Sequence, residues 1–429
     1  MHNLVAAATG VARRAWLPVA IFAHAALAVG YLSTIPAFNW PDEPAHLNYV
    51  LGLEGGHGLP VMTLDGWAPE VLEQLKRDHF DGVGPRDPRI AGISYEAHQP
   101  PLYYLAAALL FHLTGSLIAV RLLNLLLSCA VVVITPLFVR AAFPDDRWIA
   151  PSAAFLVALH PMRCAMAVSI GNDPAVELVW AGLLLAMAKG LRPLWIGIAI
   201  GVGILAKVGS LLAIPLYGAW LWIVGARTGW LRSTTTAGTV ALAVAAPWIV
   251  RNAVLYGWTD PLAVAAGALG FDHPRPHLAL LGEHGIAIFL LRCFQSWWGT
   301  FGWMEMLPDP RAFVVYIALS AAAVTGLGVW FVRLRRSGAD WSQTDRTVLW
   351  SIAAHAILLL TLIAYGTYDF QAQGRYLLVL APTSAMLIAF GLRELIGRRW
   401  PLAALTGGLA LLWVNLLNLR HVIPWYLSR

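Results

Sequence analysis

The chain has 429 residues, of which 59% are hydrophobic and only 12% charged, and its mean hydropathy is +0.66. Soluble globular chains carry roughly 25% charged residues, so a single soluble core is excluded. The net charge of +6 does not mark a nucleic-acid surface, because the basic residues sit mostly in short gaps between apolar runs, where they set membrane topology.

A helix that crosses a bilayer needs about 20 apolar residues. Runs of roughly that size are predicted at 15–35, 120–140, 148–168, 174–189, 193–207, 209–225, 234–251, 312–332, 348–368, 375–395 and 400–420. The expectation is an all-α polytopic membrane protein with about eleven transmembrane helices. Arg13 and Arg14 precede the first run, but it is long and lacks a small-x-small cleavage site, so it reads as an uncleaved span. Cys129, Cys164 and Cys293 are far apart in or beside hydrophobic stretches, which indicates neither a disulfide framework nor a Cys-rich metal site.

Residues 101–114 are apolar but short, and are placed as a helix lying in the outer interface. Arg13 with Arg14, Arg140 with Arg147, Lys189 with Arg192, Arg227 with Arg232, Arg333 with Arg335 and Arg336, and Arg393 with Arg398 and Arg399 then all face the cytoplasm, as the positive-inside bias demands. A crossing at 101–114 would invert every later helix. The chosen topology puts Asp42, Glu43, Glu96, His98, Asn172, Asp173, Lys207, Arg251, Asp369, Gln373 and Arg375 together on the extracytoplasmic side.

Two long outer segments follow from this topology, 36–119 and 252–311; long loops in compact proteins are usually functional. The second holds an aromatic stretch with Trp297, Trp298, Phe301 and Trp303, which suits an interfacial anchor belt or a contact with substrate. No separate soluble domain, Gly-rich phosphate loop or short repeat is visible, so residues 1–429 read as one domain.

Asp42 and Glu43 lie between Pro41 and Pro44, in a turn stiff enough to aim a carboxylate. They also suit the N-terminus of a helix, and capping does not exclude catalysis. His46 follows one turn later and could orient a carboxylate or share a metal. Glu96, His98 and Gln99 stand before Pro100 and Pro101 at the mouth of the interfacial helix, where they could bind sugar hydroxyls or an acceptor. Asn172 and Asp173 repeat the acidic helix start. Lys207 interrupts an apolar run, and an intramembrane cation that does not snorkel is a functional candidate. Gln373 and Arg375 open a late span around Gly374, a small residue that would let backbone approach a ligand, and Arg251 adds a third basic position.

Carboxylates and scattered cations on an outer face fit a reaction whose leaving group is a lipid phosphate. Nucleotide sugars are made in the cytosol, so an outward-facing enzyme draws on an activated sugar already carried across, such as a polyprenyl-phosphate sugar. An acceptor hydroxyl then needs a general base, for which Asp42 is the candidate, with Glu43 beside it. The departing phosphate needs charge neutralisation, for which Lys207 and Arg375 are the candidates.

The order of these features resembles the polytopic GT-C glycosyltransferase superfamily, which includes protein O-mannosyltransferases, the aminoarabinose transferase of lipid A and oligosaccharyltransferases. The similar pieces are Asp42-Glu43 after the first helix, H-Q-P-P-L-Y-Y from His98, R-L-L-N from Arg121, N-D-P from Asn172 and Lys207 in A-K-V-G-S. D-E-P-A-H at Asp42, R-N-x-x-x-Y-G at Arg251, W-G-x-F-G-W at Trp298 and Q-G-R-Y at Gln373 look closer still to an uncharacterised bacterial branch. The resemblance implies a GT-C-like fold in a bacterial inner membrane. It also implies inverting transfer from a polyprenyl-phosphate sugar, the first-loop acid as base, an outer groove for the lipid and an interfacial Pro-Pro helix. The acceptor is expected to be a glycan, lipid or protein of the cell envelope. The sequence shows no large soluble carboxy-terminal domain of the oligosaccharyltransferase kind, which argues against a protein-sequon acceptor. His98-Gln99-Pro100-Pro101 stands where the aminoarabinose enzyme has E-K-P-P, which argues against lipid A. Relatives differ in metal use; Asp42, Glu43, His46 and Asp173 could supply ligands, and the sequence leaves this open.

The rival readings are a transporter or flippase for such lipids, and a noncatalytic lipid- or glycan-binding subunit. Transporters show paired repeats and broken midplane helices, whereas here the polar residues gather at one surface.

Overall fold

The computed structural model describes residues 2–63, 68–225, 228–264, 285–367 and 371–427. In chain order its helices are α1 (His2–Thr34), α2 (Glu43–Glu54), α3 (Pro69–Arg77), α4 (Pro88–Ala91), α5 (Leu102–Thr114), α6 (Leu117–Ala142), α7 (Ile149–Ala158), α8 (Pro161–Met166), α9 (Asp173–Ala188), α10 (Pro193–Ala206), α11 (Ala213–Ile223), α12 (Trp230–Tyr256), α13 (Ile286–Trp298), α14 (Pro310–Ser337), α15 (Gln343–Tyr365), α16 (Ala381–Ile396) and α17 (Trp400–Leu427). Among the described residues the only β feature is a lone antiparallel bridge, Phe301 to Met306.

Among the described residues, six stretches are long and apolar enough to cross a membrane: Ala15–Thr34, Leu117–Ala142, Trp230–Tyr256, Pro310–Ser337, Gln343–Tyr365 and the composite Gly374–Pro424. Leu102–Thr114, Ile149–Ala158, Pro193–Ala206, Val208–Ile223 and Ile286–Trp298 are shorter apolar helices. The chain is therefore an all-helical, multi-pass membrane protein. The predicted segments do not correspond to one helix each. Segment 148–168 is divided into α7 and α8, and 209–225 and 375–395 each open with a 3-10 helix, Val208–Leu212 and Gly374–Leu380. Hydropathy sums side chains and does not register a break in the backbone ladder. Arg227 and Asp369, both used in the topology argument, lie outside the described residues.

The α7–α8 break is stabilised by side chains, as irregular backbone inside a bundle requires. Pro161 opens α8, and the carbonyls freed upstream are taken by Arg163 at Val157 (2.9 Å), His24 at Ala158 (2.8 Å) and Asn415 at Leu159 (2.9 Å). Helices α14 and α16 cross at Gly326 and Gly391, where a Cβ on Gly326 would lie 1.8 Å from the Gly391 carbonyl oxygen. Small residues at such crossings let backbones meet where no hydrophobic drive separates lipid from helix.

The segment 36–119 is more than a connector. Phe38, Leu47, Val50, Leu72, Phe80, Tyr103, Tyr104 and Phe111 form a second apolar cluster, apart from the bundle core. In it α5 packs against α2, with Tyr104 stacked on Tyr49, and buries Tyr103, Tyr104, Ala107 and Phe111, while Leu102, Leu105, Leu109 and Leu113 form an exposed stripe. Its 13 residues give a rod of about 20 Å, short of a hydrocarbon core of about 30 Å.

The aromatic stretch that ends α13 and continues past it is largely interior. Trp298 and Phe301 are buried, Trp298 stacking on Tyr316 and His160, and Phe301 on Tyr31. Trp303 stacks on Phe80 and donates to the Phe38 carbonyl at 3.0 Å, so it ties the outer segment to the bundle.

Candidate active site

Asp42 is the N-cap of α2, yet its side chain makes no capping bond, and its backbone is left-handed with φ 65°. That conformation is uncommon for a residue with a Cβ and is held only where the surroundings fix it. The carboxylate turns away from its own helix. One oxygen accepts from the Tyr95 hydroxyl at 3.0 Å and the other from the Arg375 guanidinium.

Its neighbour faces the other way. Glu43 is fully buried and binds Arg121 through both oxygens at 2.8 and 2.7 Å, while also accepting from the backbone N–H of Phe38 and of Ile170. None of these partners belongs to the cluster around Asp42.

Asp173 begins α9 and receives Lys207 Nζ on one oxygen, with Arg375 Nη1 3.8 Å from the other. Lys207 sits where α10 ends in extended backbone before the 3-10 turn. Its ammonium lies 5.1 Å from the centre of the Tyr376 ring, as does the Arg375 guanidinium carbon. Asn172 donates to the Ala206 carbonyl at 3.1 Å and to Gln99 at 3.2 Å, satisfying backbone left open by that helix end. Asp42, Arg375, Asp173 and Lys207 therefore form one continuous alternating-charge chain, although Asp42 and Arg375 are 333 residues apart.

The other predicted residues surround this chain. Gln373 accepts from Arg375 Nε at 2.6 Å. His98 Nδ1 donates to the Tyr95 carbonyl at 2.8 Å, and Gln99 donates to His98 Nε2 at 3.2 Å. His46 meets the Tyr104 hydroxyl at 2.7 Å. Arg251 is engaged elsewhere, donating to the carbonyls of Leu59 (3.1 Å) and Pro60 (2.5 Å) and lying over Trp248. Gly374 does permit a close approach, but to protein: a Cβ there would lie 1.9 Å from the Cys293 carbonyl oxygen.

Asp42, His46 and Glu96 each bring one ligating atom within 4.8 Å of the others. Two carboxylate oxygens and an imidazole nitrogen suit a borderline divalent ion better than a thiophilic one. One Glu96 oxygen is buried with no hydrogen-bond partner, as an open ligand position would be. Burial pushes the Glu96 carboxyl above its ordinary range and His46 below the usual imidazole range. Burial also works to raise Asp42, but the Arg375 guanidinium and then His46 outweigh it and hold the carboxyl below its ordinary value.

Sequence reasoning named the charged residues and missed Tyr95 and Tyr104, which hold Asp42 and His46 in place. Tyr95 adjoins Glu96, and a donor next to a singled-out acid was the available signal. A surface pocket of about 440 Å³ lies at another part of the bundle, lined by Asp146, Arg147, Trp148, Arg393 and Trp400, and contains none of these residues.

No protein-family model matches the chain, and no curated protein matches it by sequence. Solved structures do match it in fold. The Archaeoglobus fulgidus oligosaccharyltransferase, complexed with Zn and sulfate, aligns over 95% of this chain and 53% of its own, with TM-score 0.55 and 13% identity. The same enzyme tethered to an acceptor peptide containing the NVT sequon aligns over 95% and 55%, with TM-score 0.53 and 14% identity. ArnT from Cupriavidus metallidurans in the apo state aligns over 94% and 63%, with TM-score 0.55 and 16% identity. The chain thus spans little more than half of the first enzyme and under two thirds of the second. Two different membrane enzymes matching nearly its whole length show the fold: the chain is folded like the oligosaccharyltransferase and ArnT, as a polytopic helical membrane protein.

Proposed function

We propose that the protein is a glycosyltransferase that moves a sugar from a polyprenyl-phosphate donor to a hydroxyl of a cell-envelope acceptor, on the extracytoplasmic side and with inversion. The observation that carries this reading is the Asp42–Arg375–Asp173–Lys207 chain, assembled from four separate parts of a GT-C-like fold.

In the reaction, Asp42 accepts the proton of the acceptor hydroxyl as its oxygen attacks the anomeric carbon from the face opposite the phosphate. The anomeric C–O bond breaks, and its electron pair leaves on the phosphate oxygen. Lys207 and Arg375 are the groups proposed to meet that charge. Both cations are already paired with carboxylates, so the site is neutralised internally until a donor phosphate competes for them. Arg375 offers a planar fork and Lys207 a compact point charge, a complementary pair for one phosphate. Glu43 is assigned no part in proton transfer, since its oxygens are committed elsewhere. Asp42, His46 and Glu96 are the residues that would hold a divalent cation, which supplies positive charge to the donor phosphate when bound. Elemental analysis of the purified protein before and after chelation tests that assignment.

The deciding experiment incubates purified protein with radiolabelled polyprenyl-phosphate sugars and cell-envelope acceptors. Label transfer with release of polyprenyl phosphate, lost in Asp42→Asn while donor binding persists, is the expected result. Movement of intact donor across a vesicle membrane without cleavage would overturn the reading in favour of a transporter.

A further inference from the structure

Asp42 and Asp173 lie 131 positions apart in the sequence, and the chain between them includes helices α2 to α8. What aligns them is one face of α6. Arg121 and Asn124 are three residues apart and therefore neighbours on that face. Arg121 grips both oxygens of Glu43, the residue after Asp42. Asn124 donates to the carbonyls of Ser169 (2.6 Å) and Gly171 (2.9 Å), just before Asp173. Glu43 closes the loop by accepting the Ile170 N–H at 3.0 Å, from the peptide between those carbonyls, and the Phe38 N–H at 2.8 Å on its own side. Glu43 and Asn124 are 0% exposed and Arg121 5%, so none of the three reaches a substrate.

We propose that Glu43, Arg121 and Asn124 are positioning residues: a buried clamp that references both acidic turns to α6 and fixes the distance between Asp42 and Asp173. This rests on the reading of those two aspartates as one transfer site. The clamp explains why Glu43 is an acid. It must accept two backbone N–H groups and a guanidinium at once, and a carboxylate alone offers enough lone pairs. It also accounts for the left-handed backbone at Asp42, since Glu43 bonds the Phe38 and Ile170 amides from within the same turn.

The test uses the full-length protein in lipid nanodiscs and two readouts. In Glu43→Gln, transfer kcat should fall by roughly 100-fold, the cost of a misplaced reacting group, with donor KM changed by less than about threefold. Hydrogen–deuterium exchange should rise together in the peptides covering 38–42 and 168–172, with α14 and α16 unaffected. Arg121→Lys, which keeps the charge but not the two-pronged grip, should show the same pattern more weakly and serves if Glu43→Gln does not fold. An unchanged kcat, a kcat and KM that decline together, or faster exchange in only one of the two peptides would overturn the clamp. Absence of transfer by the wild-type protein would overturn the proposed function instead, and the exchange readout would still decide the clamp.

Discussion

Asp173 and Glu177 stand one turn apart on α9, and their surroundings differ. Asp173 is about one-fifth exposed and shares Arg375 with Asp42, while Lys207 serves it from another helix end. Glu177 is buried against Arg163 Nε, and the other two guanidinium nitrogens are committed to the Val157 carbonyl and to the Ser128 carbonyl and hydroxyl. The outer chain of charges has shared partners, and three of its four members are partly exposed. The inner pair has dedicated partners that close a break in a helix. Residue type does not separate the two roles; exposure and the exclusivity of the partners do.

The comparison is most sharply tested at its outer member. Asp42→Asn should reduce transfer by about 10²–10⁴-fold, the range for loss of a general base, in protein that remains folded and still binds the donor. At the inner member, Arg163→Met should destabilise the protein by about 3–5 kcal/mol, because it leaves Glu177 buried and unpaired. Unfolding in detergent would show this, and Arg163→Met with Glu177→Leu should recover much of the loss. A strong specific effect of Arg163→Met on kcat in protein that remains folded would erase the distinction. Lys207→Gln should raise the donor KM by about tenfold, in keeping with one lost charge-assisted hydrogen bond, and leave stability nearly unchanged.

The smallest effect concerns pH. Because Asp42 is held below its ordinary value, it stays ionised as pH falls through the usual aspartate range, and the acid limb of kcat/KM should lie below about 4. The same sign applies to stability: the contribution of this carboxylate is present above its unfolded value and is lost as pH falls through the folded one. Arg375→Gln should move the limb upward; a limb that does not move would show that Arg375 does not set the charge state of Asp42.

Much of the site was legible because polar residues in an apolar chain stand out. Asp42, Asp173, Lys207 and Arg375 were each singled out by position at the edge of a hydrophobic run, and the structure brings all four together. Arg251 was singled out by the same signal and serves the 59–60 backbone instead. The adjacent acids Asp42 and Glu43 were indistinguishable by type and spacing. Their division into a partly exposed and a buried role follows from a single left-handed residue and from Arg121, a partner 78 residues away. The helix break at Leu159–His160, inside the predicted segment 148–168, was illegible, since the side chains that stabilise it come from distant helices.

Composition by itself determined that the chain lives in a membrane as helices, because backbone polar groups in lipid must be satisfied within the segment. The sequence also determined which residues are too polar for that setting to be incidental. Only the tertiary structure decided which of them share a partner, because an ion pair between residues hundreds of positions apart depends on packing that no local pattern encodes. That packing makes Asp42 and Arg375 neighbours and directs Glu43 inward.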